Sequence, residues 1–243
     1  LDTRERILEV AGSLFADHGF RSVSLRRITR EAEVNLASVN YHFGSKEALV
    51  LEVLSRVVGP INAKRVAMLD VAEAEFGKKP VPVEIILEAL FAPVLSVMSP
   101  EGEGESGEKA SSPDEASVDF YLKLVGRCMS ERQELMPATM MRLFQETIDR
   151  FCKAMARTLP DLHQTDIFWR MHFTAGALLY TLTQPERLKA FSRGKVDIAN
   201  SVEVLRQLIT YTAAGMKAEA SAAKKAVRRR NTLTTTTSSA LIG

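Results

Sequence analysis

Between Arg21 and Lys46 the chain sets five basic residues, Arg21, Arg26, Arg27, Arg30 and Lys46, against two acidic ones, Glu31 and Glu33. This excess is local, because the whole chain carries a net charge of only +2, too little to mark a polyanion binder by itself. In the same stretch Ser38 and Asn40 have the side chains to hydrogen-bond base edges, and Tyr41, His42 and Lys46 to reach phosphate oxygens. The chemistry on offer is recognition of double-stranded DNA, with cations for the backbone and short polar groups for the bases. A merely solvated helix face would also be charged. It would not gather so many hydrogen-bonding side chains on the single segment Leu36 to Phe43.

Catalysis and metal binding find less support. Asp161, His163 and Asp166 lie close together, as do Trp169 and His172, but Pro160 places Asp161 and His163 in a turn and their spacing does not share a helix face. There is no His pair at i and i+4, no Gly-rich phosphate loop before a helix and no GxSxG elbow. Cys128 and Cys152 have no second pair and suggest neither a disulfide framework nor a zinc knuckle; they are expected to be reduced thiols. The expectation is a protein that is not an enzyme, with no cofactor and no metal.

The elements that must position the polar segment follow from the apolar spacing. Ile7, Leu8, Ala11, Leu14 and Phe15 line one face of a helix over about 3–18, which Gly19 ends. Ser24 caps a short helix to about residue 31 carrying Leu25, Ile28 and Ala32 inward, and after a turn a third helix over about 36–43 buries Val39 and Phe43. Two short helices joined by a tight turn have the dimensions of a helix-turn-helix whose second member enters the major groove. Gly44 closes that helix and Ser45 caps the next.

Beyond it the pattern stays helical. A helix from Ser45 is expected to stop at Gly59 and Pro60, with Pro60 opening another that reaches about Glu75. Further helices are expected over about 83–98, kinked at Pro93, then 115–130, 136–159, 165–183 and 196–217, with Pro185 to Gly194 as a connection. The stretch PEGEGESGEKASSP over 100–113 reads as a mobile loop, and the tail from Lys224, with KKAVRRR followed by a Thr/Ser run, as disordered. No strand is expected. The fold class is therefore all-α: a helix-turn-helix DNA-binding domain over 1–48, a helical bundle over 49–220, and a basic tail over 221–243. No apolar run approaches a membrane span and the first residues are charged, so the expectation is a cytoplasmic protein with no membrane partner.

From Thr3 to Leu49, and above all across SLRRITREAEVNLASVNYHFGSKEAL, the chain resembles the TetR family of bacterial regulators. The matching pieces are Phe15, Gly19 and Phe20, then Ser24, Arg26, Ile28, Ala32 and Val34, and the Tyr41-His42-Phe43 run leading into Ser45, Lys46 and Glu47. The resemblance implies a dimer on operator DNA, with phosphate contacts from Ser24, Asn40, Tyr41, His42 and Lys46. Arg26 lies in the same interface. Base contacts come from Ala37 and Ser38, with Asn35 and Leu36 opening the helix. Measured against that resemblance, Thr29 stands where alanine is common, Glu33 where glycine is common and Ala37 where glycine is frequent. Glu33 is the most awkward, since a left-handed turn conformation costs a non-glycine residue on the order of 1 kcal/mol.

The back half, through FWRMHF and ITYTAAGMKAE, resembles the fatty-acid-responsive branch of that family. The implied ligand is a small apolar or amphipathic effector, such as a fatty acid or acyl derivative, that releases a repressor from a palindromic operator. Candidate lining residues are Phe91, Leu95, Met98, Phe120, Leu124, Phe144, Phe151, Trp169 and Phe173, with Arg127, Arg142 and His172 near apolar faces as partners for an acidic head. Small residues from Thr174 to Ala177 and from Ala213 to Gly215 permit close approach of the helices at about 165–217, through which the resemblance implies a homodimer. The competing reading is a helix-turn-helix that docks on a protein partner.

Overall fold

A computed structural model describes residues 2–98, 115–130, 136–196, 198 and 200–219. Every regular element among them is helical: α1 (Thr3–His18), α2 (Leu25–Glu31), α3 (Leu36–Phe43), α4 (Lys46–Phe76), α5 (Val83–Leu95) with a 3₁₀ turn over Ser96–Met98, α6 (Glu115–Ser130), α7 (Met136–Thr158), α8 (Gln164–Thr183), α9 (Pro185–Phe191) and α10 (Ser201–Lys217). The expected loop over 100–113 and tail over 221–243 lie outside the described residues.

Two apolar cores organise the chain. The first gathers Ile7, Leu8, Ala11, Leu14 and Phe15 from α1, Ile28 from α2 and Val39 from α3 around Phe20, whose ring centroid lies 5.3 Å from that of Phe15. These three helices do not close it alone. Leu49, Val50, Val53 and Leu54 of α4 and Leu124 and Cys128 of α6 complete it. The second core is centred on α5, the most apolar helix, where Val83, Ile86, Leu87, Phe91, Val94 and Leu95 are buried against Phe151 and Met155 of α7, Ile167 and Leu178 of α8 and Leu208 and Met216 of α10.

α4 belongs to both cores, and this corrects the expectation from sequence, which broke it at Pro60. It runs 31 residues without interruption, with Pro60 inside. A proline there removes the N–H that would bond the Arg56 carbonyl, at a cost of roughly 3 kcal/mol. Burial on both sides of it, through Leu54 and Val58 before and Ile61, Leu69 and Ala72 after, outweighs that cost. Buried polar groups tie α4 to its neighbours: Arg65 donates through Nε to the Leu90 carbonyl (2.8 Å) and through Nη1 to Asn62 Oδ1 (2.9 Å), while Asn62 Nδ2 donates to the Leu143 carbonyl (2.9 Å). Near its end, Asp70 and Glu73 pair with Arg150 of α7, and Glu73 with Arg157 at 3.3 Å.

Two smaller corrections concern the back half. The connection after Pro185 folds as α9, with Pro185 in the first turn where its missing N–H is not needed. The last helix starts at Ser201, not at Val196, because the Asn200 side chain accepts from the Glu203 N–H and sets the boundary. Among the described residues no helix is long and apolar enough to cross a membrane.

Candidate nucleic-acid interface and effector cleft

The polar segment singled out in the sequence is α3, and its two ends are fixed by side-chain and backbone devices. Asn35 Oδ1 accepts the Ser38 N–H at 2.7 Å and the Ser38 hydroxyl at 2.9 Å; Gly44, at φ 75°, ends the helix. Ser24 caps α2 by accepting the Arg27 N–H at 3.2 Å, and Ser45 caps α4 by accepting the Ala48 N–H at 3.1 Å. In the turn between α2 and α3, Glu33 stands at φ 52°, the left-handed conformation expected of it.

Val39 is buried while Leu36, Ala37, Asn40 and Tyr41 face outward, and Tyr41 is 86% exposed. Ser24, Arg26 and Asn35 are exposed beside them, and Ser38, His42 and Lys46 are partly covered. None of the ten residues selected for DNA contact is buried, and they fall on α2, α3, their caps and the first residue of α4. Lys46 opens α4, so a phosphate there would meet both its ammonium and the helix N-terminus. Arg27, counted among the local cations, turns instead to Glu31 (2.9 Å) and His18 (2.8 Å). Arg4 is likewise engaged, with Glu52 at 2.6 Å and over the Phe43 ring at 5.6 Å.

A cleft of about 270 Å³ opens where the cores meet, lined by Val57, Pro60, Ile61 and Lys64 of α4, Pro93 of α5, Val97 of the 3₁₀ turn and Phe120 of α6. Val57, Pro60, Ile61, Pro93, Val97 and Phe120 make the wall apolar, and Lys64 supplies the charged group. Phe120 is also the closest neighbour of Gly12 on α1: a Cβ built there would lie 3.0 Å from its ring. The same aromatic side chain therefore touches the cleft and the first helix of the head.

Most of the sequence-chosen effector residues lie elsewhere. Of them only Phe120 lines the cleft among the described side chains; the side chain of Met98 lies outside them. Phe91, Leu95 and Phe151 are buried in the second core, Leu124 in the first, and Phe144 is half-covered on α7. Arg127 donates to the Ala16 (3.4 Å) and Asp17 (2.8 Å) carbonyls, capping the end of α1, and Arg142 is exposed. Trp169, His172 and Phe173 face outward on α8, Trp169 and Phe173 being 61% and 63% exposed with rings stacked 5.7 Å apart. The inner face of α8 is instead Ile167, Thr174, Leu178 and Leu182. On the continuous α4, Val57, Pro60, Ile61 and Lys64 stand at i, i+3, i+4 and i+7, a shared face that the break expected at Pro60 concealed.

The other chemistry-bearing groups have structural employment. His163 caps α8 through its Nδ1, which accepts the Thr165 N–H at 3.3 Å. Burial pushes the Cys152 thiol up from its ordinary pKa, and Asp149 nearby adds to the shift, the reverse of what an attacking thiolate needs. No group of three or more His, Cys, Asp or Glu that would hold a metal occurs among the described residues.

Comparison with known proteins agrees with this layout. The UidR transcriptional regulator of Escherichia coli K12 is 28% identical over 110 residues, 40% of this chain and 56% of UidR. The chain thus spans little more than half the length of that relative. The transcriptional repressor NicS of Pseudomonas putida is 35% identical over 74 residues, 30% of this chain and 35% of NicS. The solved structure of SmeT with triclosan shares the fold at a TM-score of 0.56 and 16% identity, covering 88% of this chain and 91% of SmeT. Residues 7–53 match the family described as bacterial regulatory proteins, tetR family, and residues 109–215 the family described as tetracyclin repressor-like, C-terminal domain. These two matches, at the head and behind it, together take in more than half of the sequence, and the chain belongs to the TetR family of bacterial transcriptional regulators.

Proposed function

We propose that this chain is a homodimeric repressor that grips a palindromic operator and lets go when a compact apolar or amphipathic acid enters the cleft. The observation that carries the reading is α3, a helix locked at both ends whose outward residues Leu36, Ala37, Asn40 and Tyr41 are among those chosen for DNA contact. Two such helices in a symmetric dimer meet successive major grooves about 34–36 Å apart. The name of NicS, a repressor, supports the sign of the regulation. With DNA as its ligand, the protein works in the cytoplasm.

The dimer is formed by α8 and α10. Their outward sides carry Trp169, Phe173 and Tyr180, and Val202 and Tyr211, large apolar surface that a second copy would remove from water. The effector is compact, because a cleft of about 270 Å³ falls just below the roughly 300–1,000 Å³ usual for small-molecule sites. Lys64 pairs with its acidic group; a short or medium acyl chain or an aromatic ring fills the rest. Binding shifts Phe120, and Phe120 presses on α1, so the bound population favours a head placement that no longer fits the grooves.

Selection of bound duplexes from a random pool tests the reading directly. A palindromic site should emerge, and its affinity should fall on addition of compact carboxylates with Lys64→Gln blunting the response. Binding that shows no sequence preference, or Tyr41→Ala and Lys46→Ala that leave it unchanged, would favour a protein partner instead.

A further inference from the structure

We infer that α3 reads thymine 5-methyl groups through Leu36 and Ala37. The inference rests on the DNA-reading role proposed above and specifies its chemistry. Recognition helices of this kind contact base edges with their N-terminal residues. Here both donors of Ser38 are committed: Asn35 Oδ1 accepts the Ser38 N–H and the Ser38 hydroxyl, so the Ser38 oxygen has only acceptor capacity left. The two helical residues of the first turn that stand exposed are apolar: Leu36 is 43% exposed and Ala37 is exposed beside it.

The floor of the major groove offers one apolar group, the C5-methyl of thymine; the other base edges present donors and acceptors. Leu36 and Ala37 therefore match a half-site with thymine at one or two neighbouring positions. The Ser38 oxygen matches an adjoining base that carries an amino group, adenine through N6 or cytosine through N4. Ala37, where a glycine is common in the family resemblance noted above, supplies the second methyl contact.

The experiment uses the full chain and the operator recovered by selection, with each thymine replaced in turn by deoxyuridine, which pairs identically but lacks the methyl group. At one or two positions per half-site the substitution should weaken binding about fourfold, the value of burying one methyl, and about fifteenfold when made in both halves. Leu36→Ala should lose the sensitivity at one of those positions and Ala37→Gly at its neighbour, with melting temperature unchanged. A flat uracil scan, or a Leu36→Ala variant as sensitive as the parent, overturns the inference while leaving DNA reading intact. Failure of selection to enrich any sequence overturns the DNA role and this inference with it.

Discussion

The head and the back half of this molecule are finished to different degrees. In the head α2, α3 and the start of α4 are capped by the side chains of Ser24, Asn35 and Ser45, and most apolar residues are turned inward, leaving a largely polar outer face. In the back half α8 and α10 leave Trp169, Phe173 and Tyr211 facing water, Tyr211 at 74% exposure. A surface of that kind is complete only when covered, whereas the head is complete as a single chain. Sequence signals that are local therefore succeed in the first region and fall short in the second.

Charging the outer face of α8 should break this contrast most severely. Trp169→Glu with Phe173→Glu should yield a monomer by light scattering, and operator affinity should fall by about 10²–10⁴-fold as two linked contacts become one. A dimer that survived would show the exposed aromatics to have another purpose. Next, Lys46→Ala should weaken operator binding and reduce the slope of log affinity against log salt by about one, with thermal stability unchanged.

Within the head the effects are smaller and concern folding. Asn35→Ala should lower unfolding free energy by about 1 kcal/mol in denaturant titration, because the Ser38 N–H loses its partner. Glu33→Gly should raise it by a comparable or smaller amount, about 0.5–1 kcal/mol, by relieving φ 52°. The smallest effect lies in the back half, where Lys217 of α10 pairs with Glu84 of α5 and, chiefly through that hydrogen bond, holds the Glu84 carboxyl below its ordinary value of 4.5. A depressed carboxylate pKa contributes stability above 4.5 that is lost as pH falls through the lowered value. Glu84→Gln should flatten that acid limb of a melting-temperature profile by no more than the ~1 kcal/mol of an exposed pair.

What was legible follows the same division. The bounds of α1 to α3 were readable because Ser24, Gly19 and Gly44 punctuate them, and the resemblance singled out Glu33, which does take the left-handed conformation. Helical spacing also marked Trp169 and Phe173 as apolar-face residues. Periodicity tells which residues share a face but not whether the covering surface is the chain's own, so these were assigned to a cavity they do not line. Arg127 misled for a related reason. A cation near an apolar face was read as a ligand partner, and it caps α1, a use that depends on a helix more than a hundred positions away in sequence. Pro60 was read as a start signal because the sequence does not reveal that both cores grip the same helix.

That shared helix has a mechanical consequence. With 31 residues α4 is a rod of about 46 Å, fastened near its C-terminal end to α7 by the charge cluster of Asp70, Glu73, Arg150 and Arg157. Tilted about that pivot by roughly 5°, its other end, about 38 Å away, would swing by roughly 3 Å, close to the ~3.4 Å between successive bases on a strand. A wedge no larger than one small molecule, driven in near the middle of the rod, is thus leverage enough to spoil the register of a head at its tip.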